Sequence, residues 1–289
     1  MYLFIFILIN YSMKLKDVIK NLENFAPLSL AESWDNVGLL IDPCPSHEHD
    51  IKKVLVTIDL TEKVVEEATN KDCSLVISYH PPIFKSFKRL LQANAKDRII
   101  MKCIARGITI YSPHTCWDSI ENGVNDWLGS CFENKSTIPI VPNPSFSNAG
   151  MGRILTLSTP LYLTNVCDIL KGHLGVTSLR IGHADNNQCT DKSYPSNQSE
   201  LITTIAICAG SGGSLLNGVD ADLYITGEMS HHEVLAVISE GRNVLLSEHT
   251  HTERGFLKSV VKMLQEQSMR DIEFLISEAD CNPIKTINY

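Results

Sequence analysis

Lys53-Val54-Leu55-Val56-Thr57-Ile58-Asp59 runs through Leu60-Thr61 into Glu62-Lys63-Val64-Val65-Glu66-Glu67-Ala68-Thr69. The first stretch is a short apolar run rich in β-branched residues and reads as a buried strand. Thr61 reads as the N-cap of a helix over Glu62–Thr69. Leu75–Ser78 reads as a second strand, Arg98–Arg106 as a helix closed by Gly107, and Ile108–Tyr111 as a third strand with a helix around Ile120–Leu128 after it. This alternation predicts an α/β unit with a largely parallel sheet. Upstream, Leu15, Val18, Ile19, Leu22 and Phe25 carry a helical period over residues 14–26, which Pro27 stops. Ser33–Leu39 is a polar turn that leads into the apolar Leu39–Ile41.

Downstream the alternation breaks. Residues 134–149 hold three prolines and several Ser and Asn residues, and read as a linker. A second α/β half follows. Its expected elements are a strand at Ile154–Leu157, a helix at Thr164–Leu174, an exposed polar loop at 183–199, and a strand at Leu201–Ala209 running into Gly210-Ser211-Gly212-Gly213-Ser214. A strand at Asp222–Thr226, a helix at 230–240, a short strand at Asn243–Ser247, a helix at Arg254–Gln267 and a strand at Ile272–Ser277 complete it.

The whole chain has 289 residues, 44% hydrophobic and 20% charged, a balance that excludes a disordered or collagen-like protein. With 33 acidic against 25 basic residues the formal charge is −8, so direct nucleic-acid binding is not expected as the main activity. The nine cysteines are scattered and form no C-x-x-C pair, which argues against a disulfide framework or a thiolate zinc ribbon. They read as small apolar residues of a reducing compartment: cytoplasm, nucleus or mitochondrial matrix. The apolar run Tyr2–Ile9 is too short to span a bilayer and lacks the flanks of a secretory signal, so residues 1–12 read as an N-terminal extension and no membrane partner is expected.

A short apolar strand ends in Ser-x-His three times: Ser78-Tyr79-His80, Ser112-Pro113-His114 and Ser247-Glu248-His249. Two of these continue alike, His114-Thr-x-x-Asp118 and His249-Thr-x-x-Glu253. Ligand sites of open α/β sheets gather at the carboxyl ends of strands, where a His and a carboxylate four residues on can converge. Imidazole with carboxylate suits zinc, manganese or iron. Five such ligands exceed the needs of one tetrahedral ion and match two ions bridged by a carboxylate. Each His taken alone also fits a half-buried hydrogen-bonded residue, and each acid a favourable helix start.

Two weaker candidates remain. The Gly210–Ser214 loop either offers backbone N–H groups to a phosphate or is a tight turn needing positive φ, and it is neither a Walker A loop nor G-x-G-x-x-G. Gly227-Glu228-Met229-Ser230-His231-His232 follows a strand, and its side chains read either as acid–base groups over a metal-bound substrate or as simple helix-start residues.

Ala31-Glu-Ser-Trp-Asp-Asn-Val-Gly-Leu39, Thr57-Ile-Asp-Leu-Thr61, Ser78-Tyr-His-Pro-Pro-Ile-Phe84, His114-Thr-x-x-Asp118, Ala209-Gly-Ser-Gly-Gly-Ser214, Thr226-Gly-Glu-Met229 and Glu248-His-Thr-His-Thr-Glu-Arg-Gly255 occur in that order. As a set they make the chain resemble the NGG-interacting factor three-like family, whose bacterial members are similar to GTP cyclohydrolase I type 2. The resemblance implies a two-lobed α/β fold, each lobe a mixed sheet flanked by helices, with a di-metal site in the inter-lobe cleft. It implies lobe 1 at residues 13–135 plus 250–289, a linker at 136–152 and lobe 2 at 153–249. It assigns two divalent ions (Zn, Mn or Fe) to His80, Asp118, His249 and Glu253, with His114 as ligand or neighbour. His232 or Glu228 would then move protons, and in the cyclohydrolase reaction water would attack C8 of the guanine ring of GTP. A homo-oligomer, usually a hexamer, is also implied. The alternative implied by the family name is an interaction protein that binds a transcription co-regulator, its metals structural or vestigial. Two departures stand out: Tyr79 replaces a first histidine found in many bacterial members, and the linker is too short for the domain that some of them insert.

Overall fold

The computed structural model describes residues 12–44, 49–184 and 201–285. The N-terminal extension lies outside the described residues apart from Ser12, as does the expected 183–199 loop apart from His183 and Ala184. The chain divides into two compact units. One comprises the described residues of Met1–Leu28, Ser33–His114 and Val260–Cys281; the other comprises those of Ser29–Glu32, Thr115–Ser259 and Asn282–Tyr289. Among the described residues no helix is long and apolar enough to cross a membrane.

The first unit opens with β1 (Met13–Lys14) and α1 (Leu15–Phe25). Leu15, Val18 and Leu22 are buried on one face of α1, and Ala26, ahead of Pro27, is already extended. β2 (Gly38–Ile41), β3 (Asp50–Ile51) and β4 (Lys53–Thr57) follow. Thr61 caps α2 (Glu62–Asn70), its hydroxyl accepting from Val64 N at 3.3 Å. After β5 (Leu75–Ser78) comes α3 (Ala95–Arg106), one turn longer than its apolar period suggests because Asn94 caps it; Gly107 closes it at φ 67°. β6 (Thr109–Ser112) completes this stretch.

The second unit starts with α4 (Thr115–Ser119) and α5 (Val124–Gly129), where one helix was expected. Asn122 turns left-handed at φ 61°, and a Cβ on Gly123 would lie 2.1 Å from the Trp117 carbonyl oxygen, so the helix breaks there. Residues 134–149, expected as a linker, contribute β7 (Asn134–Ile138) and β8 (Val141–Pro142). β7 pairs antiparallel at the edge of the larger sheet, where exposed polar residues satisfy the backbone without an apolar pattern to announce it. Next come β9 (Gly150–Met151), β10 (Arg153–Tyr162), α6 (Leu163–Leu174), β11 (Arg180–Gly182) and β12 (Leu201–Ser211). They are followed by α7 (Gly213–Leu216), β13 (Leu223–Glu228), α8 (His231–Ser239), β14 (Asn243–Leu246) and α9 (His251–Arg254).

The sheet order in this unit is β11-β14-β13-β12-β10-β7, with β12, β13 and β14 parallel and the flanking strands antiparallel. Alternation along β12 sends Ile205 and Ile207 into the α5–α6 core with Leu128, Val166 and Leu170. Ala206 and Cys208 enter the opposite core with Leu216 and Val237. Arg153 is 1% exposed. Its Nε and Nη2 donate to both Asp126 carboxylate oxygens at 2.7 and 2.8 Å, and Nη1 donates to the Gly150 and Gly152 carbonyls at 2.7 and 2.8 Å.

α10 (Phe256–Gln267) leads to β15 (Glu273–Ile276), which pairs parallel with β4. The first unit's sheet is therefore ordered β15-β4-β5-β6-β2, parallel throughout except for the antiparallel edge β2. All the side chains of β5 and β6 are buried, as expected for parallel strands covered on both faces.

Glu67 on α2 fastens the chain just after β15. Burial would raise its carboxyl, but hydrogen bonds from Lys71, the Ser277 hydroxyl and the backbone N–H groups of Glu278 and Ala279 outweigh it and hold it at about 2, against 4.5 for an ordinary glutamate. A depressed carboxylate contributes stability fully above the unfolded value and loses it as pH falls from 4.5 towards 2. Glu67→Gln is expected to cost about 2 kcal/mol at pH 7 and progressively less in that acid window. Urea unfolding at pH 7 and at pH 3 measures the difference; an equal cost at both would disprove the carboxylate's role.

Candidate metal centre

In the first unit, β4, β5 and β6 lie side by side and parallel, so their carboxyl ends form one edge. Asp59 follows β4, His80 follows β5 and His114 follows β6. The corners are tied by their own hydroxyls. Thr57 Oγ1 donates to Asp59 O at 3.1 Å, Ser78 Oγ to His80 O at 2.7 Å, and Ser112 Oγ to Tyr79 O at 2.9 Å. His80 Nδ1 donates to Asp59 Oδ1 at 2.9 Å, and His114 Nδ1 donates to Asp35 Oδ1 at 2.8 Å. The Asp35 side chain is completely buried. The His80 and His114 ring centroids are 5.4 Å apart, and the Tyr79 ring stands against both at 5.0 and 5.6 Å. His114 holds φ 30°, a strained backbone that a packed corner sustains.

The second unit repeats the device. β13 ends at Glu228 and β14 runs into His249, whose Nδ1 donates to Glu228 Oε1 at 2.9 Å. Ser247 Oγ donates to Thr226 O at 3.4 Å, and Glu248 makes the corner at φ 67°. One turn on, Glu253 Oε1 lies 3.1 Å from His249 Nε2. Burial, and then the charges of the Asp118 and Glu253 carboxylates, push the Cys208 thiol up. Gly210 has φ 66°, and a Cβ there would sit 2.8 Å from Glu253 Oε1 and 3.0 Å from His249 Nε2. Glycine thus keeps clear the space in front of these two ligand atoms. The glycine-rich stretch joins two elements directly: Gly210, at positive φ, and Ser211 end β12, and Gly213 and Ser214 open α7, which is a single turn.

Each of the three histidines has Nδ1 on a carboxylate, and a carboxylate only accepts. Each Nδ1 is thereby the donor, and Nε2 is the ring nitrogen left to ligate; at His249 that atom faces Glu253 Oε1 at 3.1 Å, so this imidazole meets a carboxylate at both nitrogens. Metal-ligating histidines carry this arrangement in their surroundings as a rule. In the second unit His249 and Glu253 offer two ligand atoms 3.1 Å apart, and in the first unit His80 offers another. The donor chemistry therefore fits a divalent cation.

The expected histidine ligands thus lie where each sheet ends: His80 and His114 together in the first unit and His249, with Glu253, in the second; Asp118 lies on α4 of the second unit, its carbonyl accepting from Asn125 Nδ2 at 3.0 Å. Glu228, expected as a proton carrier, is bonded to His249. His232 is exposed on the first turn of α8, edge-on to His231 at 5.4 Å. Asp35, Asp59 and Gly210 were not singled out as site residues by sequence reasoning. A signal for Asp59 exists. Thr57-Ile-Asp59 precedes Ser78-Tyr-His80 as Thr226-Gly-Glu228 precedes Ser247-Glu-His249, with the acid 21 residues before the histidine in both. No comparable spacing marks Asp35, which is 79 residues from His114.

The chain resembles known proteins over most of its length. The chain is 44% identical to NIF3-like protein 1 of Drosophila melanogaster, over 95% of this chain and 89% of that one. It is 35% identical to NGG1-interacting factor 3 of Saccharomyces cerevisiae, covering 94% and 96%. Among solved structures it matches the Staphylococcus aureus protein SA1388 with a TM-score of 0.78 and 26% identity, over 95% of this chain and 99% of that one. The model of Duf34/NIF3 (NGG1p interacting factor 3) matches residues 13–283. On these grounds the chain belongs to the Duf34/NIF3 family.

Proposed function

We propose that this protein is a metal-dependent hydrolase acting on a nucleotide or other phosphate-bearing substrate, with His80, His114, Asp118, His249 and Glu253 holding two divalent ions. The observation that carries the reading is the threefold Nδ1–carboxylate pairing at 2.8–2.9 Å, which makes Nε2 the ligating atom of each imidazole, that of His249 lying 3.1 Å from the carboxylate of Glu253. Two bound divalent ions supply Lewis acidity and lower the pKa of water, so that hydroxide attack becomes available near neutral pH. Around them the chain's own groups have separate tasks. Asp35, Asp59 and Glu228 hold the imidazoles in one tautomer and one orientation. Gly210 leaves room at Glu253 and His249 for a ligand. His232, on the exposed start of α8, is the proposed proton carrier. By family resemblance the chain assembles with copies of itself.

Elemental analysis and metal titration test this reading. The wild type is expected to bind about two divalent ions per chain. Asp35→Ala, Asp59→Ala and Glu228→Ala are each expected to weaken metal affinity by about 10- to 100-fold, since the imidazole they orient is then free to turn. A folded wild type that takes up no metal on titration with zinc, manganese or iron(II) would overturn the proposal.

A second reading is favoured by the name of the yeast relative, NGG1-interacting factor 3. In it the chain binds a transcription co-regulator and the metal is structural. Partner binding that survives His249→Ala/Glu253→Ala, with no metal-dependent turnover in the wild type, would favour this second reading over the first.

A further inference from the structure

Beside the paired histidines of the first unit lies a surface that the metal chemistry does not use. Trp34 is 57% exposed and Phe84 43% exposed, and their rings are neighbours tilted at 59° with centroids 6.0 Å apart. Trp34 also stands edge-on to His114 at 6.0 Å. The two rings come from different loops, which are tied together where Asn36 Nδ2 donates to the Ile83 carbonyl. Trp34 is further positioned by its neighbour Asp35, bonded to His114. The platform is therefore preorganised, and it continues directly from the imidazoles.

Phe84 opens the stretch Phe84-Lys85-Ser86-Phe87-Lys88-Arg89, exposed throughout, within the irregular segment between β5 and α3. Among the described residues none of Lys85, Lys88 and Arg89 forms an ion pair, whereas Arg98 and Lys102 nearby in sequence are engaged by Glu62. Three unengaged cations within five residues of Phe84 are notable in a chain of formal charge −8. Long irregular connections of this kind are where ligand recognition concentrates. An exposed indole and phenyl pair offers π faces to any planar ring, and cations at its rim attract an anionic group.

We infer that Trp34 and Phe84 form a binding subsite for a planar aromatic ring carrying an anionic group, with Lys85, Lys88 and Arg89 as its cationic rim. The ring stacks on the platform next to His114, and the anion meets the lysine and arginine heads. This gives the ring and the anion of the proposed substrate their binding residues and rests on that reading for its catalytic meaning. The binding itself needs no metal.

The test is therefore done with metal chelated by EDTA, using adenosine 5′-monophosphate as the probe. Tryptophan fluorescence is expected to be quenched in part on titration, because of the three indoles only Trp34 is exposed, Trp127 being half-buried and Trp117 buried. Trp34→Phe keeps a stacking ring and is expected to retain affinity, read by equilibrium dialysis, while losing the quench. Trp34→Ala and Phe84→Ala are each expected to weaken binding by about 5- to 100-fold. Lys85→Gln/Lys88→Gln/Arg89→Gln should weaken binding relative to wild type, by a margin that grows as salt falls, and flatten its salt dependence. Adenosine without phosphate and ribose 5-phosphate without a base should each bind more weakly than the monophosphate. Equal binding by either fragment, or affinities unmoved by Trp34→Ala and Phe84→Ala, would overturn the inference. Loss of metal binding with monophosphate binding intact would instead refute the metal reading alone.

Discussion

Arg153→Leu is expected to destabilise the protein by about 3–5 kcal/mol, a large part of the roughly 5–15 kcal/mol that holds a protein folded. The guanidinium is buried, forks onto both oxygens of Asp126, and also donates to the carbonyls of Gly150, Gly152 and Ile120. Leucine removes every one of those donors at once. It leaves a carboxylate short of its counter-charge and several backbone carbonyls without a donor, all in a place water reaches poorly. Lysine is a poor substitute, because one ammonium cannot span the carboxylate and the carbonyls together. The companion variant Arg153→Met/Asp126→Leu should be less destabilised than Arg153→Leu, since removing both charges removes the uncompensated one. Urea unfolding of the three proteins decides the matter. A cost for Arg153→Leu below about 1 kcal/mol would show that the pair is solvated rather than structural.

The second large effect is on metal. His249→Ala/Glu253→Ala is expected to lower metal affinity by more than the roughly 10- to 100-fold of an orienting residue, because both substitutions remove ligand atoms themselves. His249 Nε2 and Glu253 Oε1 lie 3.1 Å apart, in front of a backbone kept open by Gly210. Glu253 is buried, so its alanine form also risks the fold. Glu253→Gln keeps the shape, removes the charge, and should still lose metal while retaining the wild-type circular dichroism. Metal titration with unchanged stoichiometry in both variants would remove His249 and Glu253 from the ligand set and with them the proposed mechanism.

Much of this was legible in the chain. The apolar run at Lys53–Thr57 and the hydroxyl cap at Thr61 mark a strand and a helix start locally, and both stand in the structure. The left-handed end at Gly107 is equally local. The repeated Ser-x-His corners located the histidines at strand ends before any contact was known. Elements without a strong period were the ones misread. β7 lies in a proline-bearing polar stretch, with only one of its edges paired and most side chains in water. The expected helix at Ile120–Leu128 broke at Asn122-Gly123, where crowding by the Trp117 and Ile120 carbonyls forbids a Cβ. Such crowding comes from the packed chain and leaves no periodic trace.

The sequence by itself determined which residues can ligate a metal and that they cap strands, because residue type and short-range periodicity are local properties. It also carried the 21-residue spacing that joins Asp59 to His80 and Glu228 to His249 through one strand–helix–strand step. Only the tertiary structure decided that Asp35 orients His114 across 79 residues, that Gly210 clears the front of His249, and that Arg153 is the buried partner of Asp126. Those choices follow from strand order, register and loop approach, which are set by how whole elements bury their apolar faces rather than by any residue's neighbours in the chain.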